Sequence, residues 1–408
     1  MNIGPILRAM KHNRTRVVLI VIEIAVTFAI VTNCVNVIFA ERAKMTRPSG
    51  FDDDNIVRIN TQPFAPQFEE PGFIDTSIDA DLRVLAAIPG VRAVANTNFQ
   101  MWEGGGSSSS FVVAGSGQTD GPQIQNYYAT HDIANALAFQ IVNGRGFSAS
   151  DHGIGTQPDP ANVALITRDA AKALFGDANP LGKAIQRGDT STPVTIVGVI
   201  EAFYNPYGIN DEGGMSTRAI FRPARVGSSG RGISYFVRTE PGAMDSVVGE
   251  AEKRLTQANP GRVIESETML HKRGRWFSGS QIVVTTMTWI IIALIVVTAL
   301  GLLGLTSLAV AERTKQIGTR RALGATRADI LRYFLIENWL VTTAGLVIGL
   351  GGAFALNVLL VSKISDVKMG WQLVAAGMVL LWVNGLVSTL PPALRAMYIA
   401  PSIATRSV

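Results

Sequence analysis

Four long apolar stretches constrain the fold of this 408-residue chain more than any other feature. They cover, in approximate bounds, residues 17–39, 282–311, 333–361 and 371–394. A helix needs about 20 mostly apolar residues to cross a hydrocarbon core of about 30 Å, and each stretch is long enough. The first stretch is too long for a signal-peptide core and no clear cleavage site follows it, so we expect it to be retained. The sequence therefore predicts four transmembrane helices.

Basic residues beside these stretches predict the orientation of the chain. Short loops rich in lysine and arginine stay in the cytoplasm, and the basic segments here precede the first span and follow the second. The resulting plan is a cytoplasmic N-terminus (1–16), a first span (17–40), an extracytoplasmic domain (41–280), a second span (281–311), a cytoplasmic loop (312–332), a third span (333–362), a short external loop (363–370), a fourth span (371–394) and a cytoplasmic C-terminus (395–408).

The charge distribution argues against a nucleic-acid partner. The formal net charge is +5, but the basic residues cluster at the ends of the apolar stretches and are not interleaved with aromatic residues. We therefore expect them to contact membrane lipids and to orient the chain. The single cysteine, Cys34, lies within the first span, so no intrachain disulfide can form and the large external domain must depend on its own core.

Two parts of the external segment predict β-α-β units. Residues 55–99 and 232–269 each contain a strand pattern, a helical pattern, and a Pro-Gly turn leading to a second strand. Together they predict one split sheet with helices on one face, with an inserted subdomain at about 101–230. The predicted fold class is thus an α-helical membrane protein with four transmembrane helices and a large α+β extracytoplasmic domain.

The stretch "LFGDANPLGKAI", from Leu174 to Ile185, resembles a phosphate-binding loop only superficially. Such a loop has four residues between its first glycine and the Gly-Lys pair, whereas five separate Gly176 from Gly182. Ala184 follows the lysine and offers no hydroxyl for Mg²⁺. The preceding residues predict a helix capped by Thr167, so we interpret the stretch as a helix end followed by a turn.

Nothing in the sequence predicts a catalytic or metal centre on this chain. Asp151 and His152 are adjacent, but the four histidines of the chain show no metal-ligand spacing. No nucleophile elbow or Cys-His arrangement is found. We therefore expect a non-catalytic protein that binds no metal or cofactor.

The segment "AERTKQIGTRRALGATRADILRYFLIE", residues 311–337, is the most informative one. It predicts a short basic helix, a turn at Gly324 and a second helix capped by Thr326 that continues into the third span. One interpretation is an interfacial helix lying on anionic lipid. The other is a rigid knob that docks into a soluble partner, and composition does not choose between them.

Together with motifs elsewhere, this segment makes nearly the whole chain resemble the FtsX-like permeases of ABC transporters, and within them the MacB type. The signature residues are Glu312, Arg313, Ile317, Gly318, Arg321, Ala322, Leu323, Gly324 and Ala325. Further similar positions are Ile330, Phe334, Glu337, Pro392, Ala393, Ala396, Pro401, Ala404 and Arg406. Gln316 departs from the pattern, because the family usually has glutamate there.

The resemblance implies a permease subunit of a type VII ABC transporter in the inner membrane. Its nine signature residues would couple to a separate dimer of ATPase subunits, which bind the ATP and Mg²⁺. A second permease, identical or related, would complete the pair. The resemblance favours export with a periplasmic adaptor and an outer-membrane channel. The alternatives are lipoprotein or lipid extraction, transmembrane signalling to a cell-wall hydrolase or a sensor kinase, and a sensor receptor without an ATPase.

Small residues in the spans predict close helix packing. Gly345 and Gly349 form a G-x-x-x-G pair in the third span, and Gly301 and Gly304 lie on the second. Glu23 is an ionisable residue within the first span, where a charge is costly and usually paired. We expect Glu23 either to pair with a polar group of a neighbouring subunit or to lie in the interfacial zone near Arg16.

Overall fold

The computed structural model describes residues 14–70, 72–103, 106–151, 162–188, 192–206, 212–227, 232–361 and 370–400. His152, the short loop 363–370 except for its last residue, and the C-terminal Pro401, Ala404 and Arg406 lie outside these ranges. The chain divides into two compact units. Residues 1–46 and 279–408 form the membrane unit, and residues 47–278 form the sheet unit.

The helices of the described chain are α1 Arg14–Thr46, α2 Phe73–Ala86, α3 Ile133–Ala136, α4 Arg168–Phe175, α5 Met244–Ala258, α6 Met269–Trp276, α7 Ser278–Glu312, α8 Thr314–Ala322, α9 Arg327–Leu356 and α10 Trp371–Met397. A short π-helical turn, Asn357–Val361, follows α9. The strands are β1 Ile56–Pro63, β2 Val91–Asn96, β3 Ser108–Ser110, β4 Val112–Val113, β5 Gln123–Ala129, β6 Ile141–Gly144, β7 Val163–Thr167, β8 Ala184–Gln186, β9 Val194–Ile200, β10 Ala219–Pro223, β11 Ile233–Thr239 and β12 Arg262–Thr268.

In its described residues, the membrane unit contains four helices that are long and apolar enough to cross a bilayer: α1, α7, α9 and α10. Helices α1, α9 and α10 pack against one another around a core that includes Ile24, Phe28, Leu346 and Leu381. Helix α7 is different, because only 11% of its most apolar 18-residue window is buried. In the membrane unit α7 therefore has far fewer protein neighbours than α1, α9 and α10.

The first sheet of the sheet unit confirms the predicted split arrangement. Its strand order is β12-β1-β11-β2, and each neighbouring pair is antiparallel. Strand β11 thus lies between β1 and β2, the two strands of the first β-α-β unit, and β1 lies between β11 and β12, the two strands of the second. Helices α2 and α5 cover one face, because their periodic apolar residues pack onto the alternating inward residues of the strands. Examples are Leu85 of α2, Leu255 of α5 and Ile59 of β1.

The second sheet lies between the two β-α-β units in sequence. Its strand order is β3-β5-β10-β7-β9-β8-β4, and β6 also pairs with β9. Helix α4 begins after Thr167, whose hydroxyl accepts a hydrogen bond from the Ala170 amide, and Gly176 is its C-cap residue. Gly182 has φ +74°, which suits a turn that leads into β8. The Gly-Lys stretch is therefore a turn between a helix and a strand.

Aromatic side chains join the two sheets of the sheet unit. Phe99 follows β2 and contacts rings from both sheets with edge-to-face or tilted geometry. Its ring partners are Phe51, Tyr127, Phe203, Phe221 and Phe236. The two sheets thus share a single aromatic core.

Asp151 has a structural role in this unit. Its carboxylate accepts hydrogen bonds from Arg145, at 2.5 Å, and from the amide and hydroxyl of Ser148, both within 2.8 Å. These donors hold the pKa of Asp151 well below its usual range. The carboxylate therefore fixes a turn.

Candidate coupling site

A single residue separates the second membrane helix from the short basic helix. Helix α7 ends at Glu312 and α8 begins at Thr314, so the chain bends at Arg313. The Arg313 side chain is only 10% exposed, and its Nη1 donates to both oxygens of Glu337, at 3.2 and 2.9 Å. The bend is therefore held by a buried ion pair to α9.

A second arginine shares the same carboxylate. Arg16, near the start of α1, donates from Nη2 to Glu337 Oε1 at 2.8 Å. The Arg16 and Glu337 side chains are 14% and 6% exposed. The three side chains, which we call the charge triad, therefore connect α1, the α7–α8 bend and α9. Because breaking a buried ion pair is costly, the triad fixes the position of the bend relative to both helices.

The inner face of α8 packs onto the membrane unit. Ile317 and Gly318 are buried, and Ile317 belongs to an apolar cluster with Phe334 of α9 and Ala393 of α10. The guanidinium of Arg321 donates to the main-chain oxygens of Met397 and Ile399, at 3.2 and 2.6 Å. Helix α8 is thus fixed to α9 and to the C-terminal end of α10.

The outer face of α8 and the following turn are exposed. Leu323 is 84% exposed although it is apolar, and Glu312, Ala322 and Gly324 are also exposed, while Ala325 is half-buried. Gly324 has φ +99°, which few other residues adopt. Thr326 and Asp329 form a capping box that starts α9. We call this exposed surface, Glu312 with residues 322–324, the coupling knob.

The nine signature residues thus divide into two groups. Arg313, Ile317, Gly318 and Arg321 hold α8 against the membrane unit, and the half-buried Ala325 packs on the same apolar cluster as Ile317. The four knob residues face outward. The signature does not include Arg16, and Glu337 belongs only to the motif that follows it. One signal could have pointed to Glu337, because it is the only acidic residue between Ile330 and Val361.

The predicted packing glycines lie in different surroundings. A Cβ built at Gly345 would lie 2.8 Å from Ile24 Cβ, and one at Gly349 would lie 2.8 Å from the carbonyl oxygen of Ala25. These two glycines therefore face α1 directly. A Cβ at Gly301 would contact the Glu23 carboxylate, whereas one at Gly304 would have nothing within 4 Å among the atoms compared.

Glu23 faces the second membrane helix. Its carboxylate lies over Gly301, and in the described part of the chain no hydrogen bond is found for it. One turn further along α1, the hydroxyls of Thr27 and Thr298 are 2.8 Å apart and form a hydrogen bond. A small polar patch thus joins α1 to α7.

The sheet unit contains a junction where its first and last segments meet. Arg273 of α6 donates to Asp53 Oδ2 at 2.6 Å and to the carbonyl oxygen of Arg47 at 2.8 Å. Its guanidinium also lies 5.1 Å from the Trp102 ring centroid. Residue 47 follows α1 and residue 277 precedes α7, so this junction ties together the two connections toward the membrane helices. We call it the connector joint.

Lys272 reinforces the connector joint. It is buried, it pairs with Glu103, and it donates to the carbonyl oxygen of Met101 at 3.3 Å. Burial lowers the pKa of Lys272, and nearby Arg58 lowers it further. Burial alone would raise the pKa of Glu103, but the two cations outweigh it and lower that pKa. The pair is thus a charged contact between α6 and the loop that follows β2.

Comparisons with known proteins agree with this architecture. Residues 18–255 match the family model described as MacB-like periplasmic core domain, and residues 288–401 match FtsX-like permease C-terminal. An uncharacterized ABC transporter permease, YknZ of Bacillus subtilis, is 27% identical over 67% of this chain and 67% of its own length. A macrolide export ATP-binding/permease protein, MacB of Vibrio parahaemolyticus, is 33% identical over 48% of this chain and 30% of its own length.

Solved structures also resemble part of the chain. The extracellular domain of the ABC-type transporter YknZ from Gram-positive bacteria aligns over 52% of this chain and all of that domain, with 19% identity and a TM-score of 0.33. The chain covers less than two thirds of the MacB relatives' length. The first family model alone matches more than half of the sequence, and the second covers α8 with the triad residues Arg313 and Glu337. This chain therefore belongs to the family of MacB-like and FtsX-like ABC transporter permeases.

Proposed function

We propose that this chain carries ATP-driven motion from a separate dimer of ATPase subunits to its own sheet unit. The observation that carries the proposal is the two-sided construction of α8. Its inner face is fixed to α9 and α10 by Ile317 and Arg321, and its outer face presents the coupling knob. A force applied to the knob would therefore move the end of the membrane unit and not only a loop.

The sidedness of α8 favours a protein partner over a lipid surface. An interfacial helix turns its apolar side chains toward the lipid and its charged side chains away from it. Here the apolar Ile317 faces the other helices, and the exposed side carries Lys315, Gln316 and Arg320. Leu323, at the end of the helix, is 84% exposed although it is apolar, and in this proposal its side chain enters a groove on the partner.

Helix α7 is suited to transmit the motion. It has 35 residues, which at 1.5 Å per residue give a length of about 52 Å, so it exceeds the hydrocarbon core of a bilayer. Its apolar window has few protein neighbours, so it can shift with little repacking. A single residue, Phe277, separates it from α6, which the connector joint ties to Asp53 and Arg47.

The wider assembly is part of the same proposal. The partner ATPase subunits would bind the ATP and Mg²⁺, and a second permease would complete the pair. The chain would lie in the inner membrane with both termini in the cytoplasm and the sheet unit in the periplasm. The MacB relatives are named export proteins, which supports export, with a periplasmic adaptor and an outer-membrane channel as partners.

The decisive experiment changes the tip of the knob. Leu323→Asp places a charge where an apolar side chain would enter a groove, so an ATPase subunit that copurifies with the wild-type chain should be lost. Val263→Asp is the matched control, because Val263 is also an exposed apolar residue but lies on β12 of the sheet unit. The side chains of Leu323 and Val263 are 84% and 51% exposed, so neither variant should unfold the chain.

The measurements are the amount of copurified ATPase subunit and the stimulation of its ATP hydrolysis. We expect Leu323→Asp to reduce both by about tenfold or more, as for the loss of an interface anchor. Val263→Asp should leave both at the wild-type level. The proposal fails if Leu323→Asp retains an ATPase subunit that is still stimulated, or if the wild-type chain never copurifies with one.

A further inference from the structure

A cleft in the membrane unit lies beside the charge triad. Three helices line it near the end that carries α8, and its walls are mostly apolar. The residues that matter here are Arg16, Val17, Ile20, Thr306, Phe334 and Glu337. The cleft thus combines a charged region with an apolar wall, which is the combination that a phospholipid headgroup and the start of its acyl chain require.

Not every hydrogen-bond donor of the charge triad is satisfied. The triad contains two guanidinium groups, those of Arg16 and Arg313, and a single carboxylate, that of Glu337. Among the described residues, Nη2 of Arg16 has Glu337 as its acceptor, while Nε and Nη1 are buried without one. Buried donors without acceptors are unfavourable, so the site has unused hydrogen-bond donors. The oxygen atoms of a phosphate would satisfy them.

The position of Arg16 along α1 matches the depth of lipid phosphates. Exposed apolar side chains begin immediately after it, at Val18, Leu19 and Ile22. Arg16 therefore lies within two turns of the start of the lipid-facing surface, where headgroups meet the hydrocarbon core. Basic pockets between membrane helices at this level are typical sites for anionic lipid headgroups.

We propose that this cleft binds the phosphate of an anionic phospholipid, with Arg16 as the principal donor. The apolar residues Val17, Ile20 and Phe334 contact the lipid beyond its headgroup. Because the triad holds the α7–α8 bend, a bound lipid reinforces the position of α8 from the membrane side. The proposal concerns lipid binding by this chain and does not depend on an ATPase partner.

The test is lipid binding by the full chain in mild detergent. Native mass spectrometry would compare phosphatidylglycerol with phosphatidylcholine of the same acyl chains. We expect the wild-type chain to bind phosphatidylglycerol more tightly, and Arg16→Gln to weaken that binding by about tenfold, as for the loss of a hydrogen bond to a charged group. Arg14→Gln is the matched control, because it removes an equal charge from an exposed position two residues away.

A second pair of variants tests the cleft without changing any charge. Thr306→Trp fills the cleft and should prevent phosphatidylglycerol binding while Arg16 stays in place, whereas Thr306→Val should bind as the wild type does. Size-exclusion profiles identify any variant that fails to fold. Equal losses from Arg14→Gln and Arg16→Gln, or no effect of Thr306→Trp, would overturn the site. Displacement of the lipid by millimolar inorganic phosphate would assign it to free phosphate and overturn the lipid proposal.

Discussion

The contact between α1 and α9 gives the sharpest test of the packing. A Cβ added at Gly349 would lie 2.8 Å from the Ala25 carbonyl oxygen and 2.9 Å from its Cα. Both are main-chain atoms, so no side-chain rotation can relieve the overlap and the two helices must separate. Gly351 lies two residues further along α9, and a Cβ there would have nothing within 4 Å among the atoms compared.

The magnitude follows from comparing the two alanine variants. In a helix, alanine is favoured over glycine by about 0.5–1 kcal/mol, and this gain applies equally at both positions. Overpacking a well-filled interface costs about 1–3 kcal/mol, and this cost applies only at Gly349. The helix propensity cancels in the difference, so Gly349→Ala should be less stable than Gly351→Ala by about 1–3 kcal/mol.

The assay is reversible unfolding of the purified chain in mixed micelles, followed by circular dichroism as the fraction of denaturing detergent rises. Gly351→Ala should unfold at or slightly above the wild-type midpoint, and Gly349→Ala clearly below that of Gly351→Ala. If Gly349→Ala is as stable as Gly351→Ala, the close approach of α1 and α9 is incorrect and the G-x-x-x-G pair has another role.

Two predictions concern the buried network of the sheet unit. Asp81 and Arg262 form an ion pair with both side chains 0% exposed, so Asp81→Asn should leave a buried charge without its counterion and lower the free energy of unfolding by about 3–5 kcal/mol. Asp79 lies on the same helix, pairs with Arg225, and has a side chain that is 44% exposed, so Asp79→Asn should cost less than about 1 kcal/mol. Chemical denaturation measures both variants, and similar losses from the two would refute the buried pair. Tyr235 donates to Asp81 at 2.7 Å, and burial, followed by the charge of Asp81, raises its pKa well above the ordinary value. The unfolded chain releases the Tyr235 proton near pH 10 while the folded chain keeps it, so the free energy of unfolding should fall as the pH rises above about 10. Chemical denaturation at several pH values measures this fall, and Tyr235→Phe should make it smaller. The same fall in the variant would refute the contribution of Tyr235.

Local chemistry made part of this structure predictable from sequence. The four apolar stretches gave the membrane helices because a long apolar run has no other stable location. The caps at Thr167 and Thr326 and the turn at Gly324 depend on hydrogen bonds within three or four residues, so the sequence around them contains the whole signal. The split sheet was predictable because two β-α-β units of similar pattern were visible.

The order of the second sheet could not be predicted in this way. Several of its strands have only two to four residues, such as Val112–Val113 and Ala184–Gln186, and these are too short to show a period. Its central pairs, β10 with β7 and β7 with β9, form between segments that are distant in sequence. Their register depends on packing in the finished core, which no local pattern records.

The charge triad could not be predicted from the sequence either. Arg16 and Glu337 are 321 residues apart in sequence, and each looks like an ordinary residue near the end of a membrane span. Only their meeting in three dimensions shows that Arg313, which the signature groups with the knob residues, holds the bend from inside. A sequence motif marks the residues that a function requires together, but it cannot separate those that touch a partner from those that hold the contact surface in place. In the proposed coupling, the exposed residues of the knob act as one rigid body because the buried signature residues fix them to α9 and α10.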